Sequence, residues 1–137
     1  MYDHVIFSAY MNEYSSYFSA GEYLEGFTGF LINFGNGFSL SNGGFTAQRN
    51  GNYEFSAAAL HSNIEQGSND LTVEHNGAQV LLFHSWEYSG NPNTDTDTMS
   101  FSWIMELKQG DVVRLKVSTG RFYCGPNYNC IFSGKYI

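Results

Sequence analysis

The feature that excludes most folds is a period of two in the apolar residues. In the segment 113–118, Val113, Leu115 and Val117 fall on one side, and Arg114, Lys116 and Ser118 fall on the other. Upstream, Met99, Phe101, Trp103, Met105 and Leu107 alternate with Ser100, Ser102, Ile104 and Glu106. This is the pattern of strands that put one face into a core, and no stretch shows helical spacing instead. Asn-Gly occurs four times, at Asn36-Gly37, Asn42-Gly43, Asn50-Gly51 and Asn76-Gly77. Both residues tolerate the positive φ that tight turns demand, so many short antiparallel strands are expected. The strongest hairpin cue is Asn76-Gly77, between apolar runs at 71–75 and 78–86. A second turn at 108–111 joins the strands around 99–107 and 113–118, and a terminal strand is expected at 130–137.

Composition supports an all-β chain with large contact surfaces. Residues 1–137 suit one domain, and 42% are hydrophobic and 18% aromatic. Only 14% are charged, against a usual share of about a quarter. In the segment 52–60, Tyr53, Phe55, Ala57 and Ala59 form one face, and Glu54, Ser56, Ala58 and Leu60 form the other. A second face so poor in charge predicts cover on both sides, most simply by a neighbouring copy of the chain. Net charge is −7, with six scattered basic residues and no basic patch, which excludes nucleic acid and anionic membrane as partners. No stretch approaches the roughly 18 apolar residues of a spanning helix. The opening MYDHVIFSAY lacks a basic region followed by an apolar one, so any secretion signal is expected to have been removed already.

Long loops are expected at 11–26, 62–70, 89–98 and 120–129. If successive strands run antiparallel, the last three share one end and the tight turns at 76–77 and 108–111 share the other. Function tends to sit on long loops carried by a rigid sheet, so the long-loop end is the candidate binding face. Cys124 and Cys130 flank Gly, Pro and three polar or aromatic residues that can turn the chain back, so a disulfide is preferred over free thiols. No His or further Cys follows at zinc spacing.

At this point the sequence resembles the C1q globular domains. VIFSAY at 5–10 is similar to their opening strand. The block 31–57 carries their most recognisable pattern, through Asn33, Gly35, Phe38, Gly44, Phe45, Thr46, Ala47, Gly51, Tyr53 and Phe55. Asn76-Gly77 matches their turn; Leu107, Gly110, Asp111 and Val113 match L-x-x-G-D-x-V; Phe132, Ser133, Gly134 and Ile137 match the closing F-S-G-x-x-[LI]. Gln48-Arg49 stands where the family usually has a proline, and 89–98 does not align. The resemblance implies a jelly-roll sandwich of about ten antiparallel strands in two sheets, a homotrimer, and extracellular ligand recognition. The absence of a collagen-like tract is similar to stand-alone invertebrate (bivalve-type) C1q-domain proteins. Several of those act as lectins or innate-immune pattern-recognition proteins that prefer N-acetylhexosamines or sialic acids.

Sugar binding needs flat apolar faces for C–H surfaces and directional groups for hydroxyls. The candidate face supplies His61, Asn63, Trp86, Tyr88, Asn93, Asp95, Asp97, Arg121, Tyr123, Asn127 and Tyr128. Arg121 suits a sialic-acid carboxylate. Trp86 and Tyr88 have an alternative place in the core or at a subunit seam. No cofactor is expected; calcium is the alternative, through Asp95 and Asp97 with Glu87 and Asp70, though EF-hand spacing is absent. His4, His61, His75 and His84 contain no H-x-H pair, Glu87 and Asp95 are not singled out as a glycosidase pair, and no nucleophile elbow exists. The chain is therefore expected to be a secreted, trimeric, non-enzymatic lectin for N-acetylated sugars, assembling with itself or a related chain. The alternative is a trimeric protein ligand that binds a receptor.

Overall fold

In the computed structural model the alternation becomes register. The structure describes residues 5–12, 16–62, 67–87, 96–126 and 130–137. Among them are the strands β1 (Ile6–Met11), β2 (Ser16–Ser19), β3 (Gly29–Phe34), β4 (Phe45–Thr46), β5 (Gly51–Ser62), β6 (Gly67–His75), β7 (Ala78–Glu87), β8 (Thr96–Leu107), β9 (Val112–Thr119), β10 (Arg121–Cys124) and β11 (Cys130–Tyr136), and no helix. They build the two-sheet jelly roll expected.

Sheet 1 has β5 at its heart. β8 pairs with β5 along its whole length, from Gly51↔Leu107 to Ser62↔Thr96. The other edge of β5 carries β11 up to Ile131↔Ala58, and then β10 at Tyr123↔Leu60 and Phe122↔His61. β1 pairs with β11 and β2 with β10, and β3 closes the sheet beside β1. Sheet 2 runs β4-β9-β6-β7. Beside β9 the segment 21–24 adds a short extra strip, through Gly21 N to Val117 O at 2.8 Å and Leu24 N to Leu115 O at 2.9 Å.

The inward positions are those the period of two predicts. Phe7, Tyr53, Phe55, Trp103 and Phe132 from sheet 1 meet Leu71, Val73, Val113, Leu115 and Val117 from sheet 2, all buried. Rings order the centre: Phe7 stacks on Phe38 at 4.6 Å and Phe55 on Trp103 at 5.3 Å. Such pairs add about 0.5–1.5 kcal/mol each beyond the area they bury. Gly134 makes this possible, since a Cβ there would stand 2.6 Å from the Phe7 ring and 2.7 Å from that of Phe55.

The tight turns sit together at one end. Asn76 (φ 52°) and Gly77 (φ 83°) supply the two positive φ values of the β6–β7 hairpin. Asp111 ties that hairpin to the β8–β9 turn: its carboxylate accepts from Asn76 Nδ2 (3.0 Å) and the Lys108 amide (2.9 Å), and lies 2.8 Å from His75 Nε2. These bonds, with His75 adding charge, hold the Asp111 carboxyl well below the usual carboxylate range. The opposite end collects the close of β5, β7 and β9 and the start of β6, β8 and β10. There the strands run further than the sequence predicts, because 67–70 and 96–98 pair in the ladders rather than forming loop. The stretch 11–26, expected as one long loop, contains β2 and the strip beside β9.

Candidate functional site

β10 carries two of the predicted site residues, the exposed Arg121 and the half-buried Tyr123. Its inward residues, Phe122 and Cys124, are buried, so Arg121 and Tyr123 project from the outer face of sheet 1. β2 places Tyr17 directly opposite Tyr123, and the two rings meet edge-on at 4.6 Å. Tyr17 is 60% exposed. On the other side of Tyr123 lies Leu60 of β5, followed by Thr98 of β8. The result is an aromatic step, Tyr17–Tyr123, continued by an aliphatic floor, with the exposed Arg121 guanidinium one pleat further toward the sheet end.

The remaining predicted residues do not all join it. His61 is 1% exposed, its ring edge-on to Phe122 inside the sandwich, because it shares the inward parity of Ala57 and Ala59. That burial corrects its assignment to the binding face: in this subunit it belongs to the core. Asp97 is exposed and pairs with His61, which puts it on the side of β8 away from Tyr123. Trp86 lies on β7 of sheet 2, opposite Ser68. Asn63, Tyr88, Asn93, Asp95, Asn127 and Tyr128 lie outside the described residues. Tyr17 was missed from sequence because a four-residue strand inside a polar stretch gives almost no periodic signal.

Cys124 and Cys130 form the expected disulfide, with Cα atoms 5.3 Å apart. β10 and β11 both run antiparallel to β5, so the bond joins the end of one to the start of the other, in line along β5. In the neighbouring column Met11 faces Cys130 and Ser16 faces Cys124. The bond stands at the edge of the Tyr17–Tyr123 step.

The rest of the outer face of sheet 1 is nearly free of charge. Ser8, Ser56, Ala58, Ser100, Ser102, Ile131 and Ser133 alternate across it, and the Lys135–Glu54 pair (3.6 Å) stands toward the tight-turn end. Two shallow depressions mark it. One, of about 270 Å³, lies between Ile6, Ile32, Glu54 and Lys135. The other, of about 440 Å³, is lined by Ser56, Ala58, Ser100, Ser102 and Ile131. Apolar side chains stand open at both edges of the sandwich: Leu31 (71% exposed), Ile32 and Phe34 on β3, and Val80 and Leu81 on β7 with Ile104 on β8. The β7 and β8 edges lie together, since Phe83 stacks on Phe101 at 3.9 Å.

For a cation the described acids are badly placed. Asp70 sits on the outer face of sheet 2, its carboxylate bonded to His84 Nδ1 (2.6 Å) and the Thr119 hydroxyl, while Asp97 belongs to sheet 1. Among the described residues no group of three or more His, Cys, Asp or Glu could hold a metal ion.

One sequence family accounts for nearly the whole chain: the pattern of the C1q domain matches residues 6–137. The chain belongs to the C1q domain family. Among solved structures, this C1q domain is similar to the globular domain of zebrafish complement 1qA protein, at 22% identity and TM-score 0.75 over 97% of each chain. It is also similar to the Eiger TNF of S. frugiperda, at 11% identity and TM-score 0.75, over 97% of this chain and 93% of that one. Murine APRIL matches at 12% identity and TM-score 0.70, over 98% of this chain and all of that one. At these identities the likeness establishes the C1q/TNF-like jelly-roll fold. No curated protein sequence matches the chain.

Proposed function

We propose that this C1q domain is a subunit of a secreted homotrimer that recognises N-acetylated sugars, as a lectin of innate pattern recognition, without catalysis. The observation that carries this is the Tyr17–Tyr123 step beside Arg121: an open aromatic wall suits an acetamido methyl and a sugar C–H face, and a planar cation suits a sugar carboxylate. Assembly follows from the two apolar edges. The β3 patch and the β7–β8 patch lie on different sides of the subunit, so a contact joining them is heterologous, the kind that builds a ring when the rotation between copies closes. The charge-free part of the outer face of sheet 1, around Ser56, Ala58, Ser100, Ser102 and Ile131, then turns toward the neighbouring copies, and the Tyr17–Tyr123 step at the end of the sheet stays open. Three equivalent shallow sites would gain avidity on repetitive glycan surfaces, which tolerates weak binding at each.

The test is a glycan array probed with and without a chelator. Binding to N-acetylhexosamines or sialic acids is expected, unchanged by chelation and weakened by Tyr123→Ala. Silence toward every acetylated sugar removes the lectin role. One observation favours the alternative, a C1q/TNF-like trimeric ligand for a protein receptor. Leu82 is 45% exposed on the outer face of sheet 2, where ring closure does not use it. That alternative predicts a captured protein partner and no saccharide affinity.

A further inference from the structure

We propose that Asn36 is a site of spontaneous deamidation, and that the fold shields the other three Asn-Gly pairs from the same reaction. This stands independently of the ligand. In an Asn-Gly pair the glycine main-chain nitrogen attacks the asparagine Cγ. The N–Cγ bond forms, the glycine nitrogen gives its proton to hydroxide, and the Cγ–Nδ2 bond breaks, releasing ammonia. Water then opens the five-membered imide at either carbonyl, leaving aspartate or isoaspartate. No oxidation or reduction is involved. Glycine, lacking a Cβ, hinders the approach least.

Ring closure requires the asparagine amide to leave its hydrogen-bond partners and the chain to rotate between the two residues. Three of the four pairs are held against this. The Asn76 amide donates to Asp111 Oδ1 at 3.0 Å, and its Oδ1 accepts from Val112 N at 2.8 Å. Asn50 Oδ1 accepts from Gln109 N at 2.7 Å. Asn42 Oδ1 accepts from Gly44 N at 2.7 Å, and the attacking nitrogen, Gly43 N, is itself committed to Ser39 O at 2.9 Å. Each of the side-chain bonds runs to the backbone or to a fixed carboxylate.

Asn36 has no such anchor. It is exposed, and among the described residues its side chain meets only the Asn33 amide, at 3.4 Å, beyond the usual hydrogen-bond range. Gly35 and Asn36 sit outside any strand, at φ 92° and 51°, after the end of edge strand β3. Gly37, by contrast, is buried and its carbonyl accepts from Thr46 N at 2.8 Å. Its nitrogen, the nucleophile, donates no hydrogen bond among the described residues, unlike Gly43 N, so neither reacting group at Asn36-Gly37 is committed elsewhere.

Peptide mapping by mass spectrometry tests this on the whole folded chain kept in mildly alkaline buffer. Conversion at Asn36 should outrun that at Asn42, Asn50 and Asn76 by about fivefold or more, the factor worth one net hydrogen bond. In denaturant the four should converge. Asp111→Ala, checked for folding by circular dichroism, should speed Asn76 and leave Asn36 unchanged. If Asn76, Asn50 or Asn42 converts as fast as Asn36 in the folded chain, the assignment fails. It fails equally if Asn36 keeps its amide while the unfolded chain reacts.

Discussion

Single residues here are held by what they touch across the sandwich. Gly134 leaves room for two rings, and Gly134→Ala drives a methyl into Phe7 and Phe55. Overpacking of this kind costs about 1–3 kcal/mol, to be read as a lower denaturation midpoint. Asp111 joins two turns, and its carboxyl titrates lower in the folded chain than its usual 3.8. Its contribution is therefore present above about pH 4 and fades as pH falls below that value, because the unfolded chain takes up the proton first. Asp111→Ala should lower Tm at neutral pH, and the gap from the parent chain should narrow in acid; a gap that stays constant with pH would show that the network does not act through charge. The same scale explains why the binding residues were only partly legible. Tyr123 was read as part of a loop, so its outward direction came only with β10, and the alternation along β5 sends His61 inward. Tyr17 became visible only once its partner was known, and that partner lies more than a hundred positions away.

At the scale of elements, long strands were legible and short ones were not. β5, β8 and β9 each place several large apolar residues on one side, so their period stands out. β2 and β10 have four residues each, as does the strip at 21–24; long-range pairing, not local pattern, brings them into the sheets. The segment 120–129 reads as a loop because Gly and Pro interrupt it, yet its first half is ladder. The disulfide closes the remainder. Replacing both cysteines by alanine should cost about 2 kcal/mol on the chain-entropy account of so short a loop. Urea unfolding would measure this, and the larger effect is expected on sugar binding, since Tyr123 stands next to Cys124.

For the whole molecule, the jelly roll was legible because turn frequency, alternation and motif order agree. Which faces meet another copy was legible only as a shortage of charge. The structure adds where the open apolar edges lie, and so how copies would meet. Sedimentation should give a trimer, and Phe34→Asp or Ile104→Asp should shift it toward monomer with the far-UV spectrum unchanged; a wild-type monomer would remove the ring. The disulfide has a consequence of its own. Because β10 and β11 lie in line along β5 on either side of it, the covalent clamp keeps the start of β11 in register whatever side chains stand between the two cysteines. Substitution there can therefore alter what the chain displays without shifting any residue downstream.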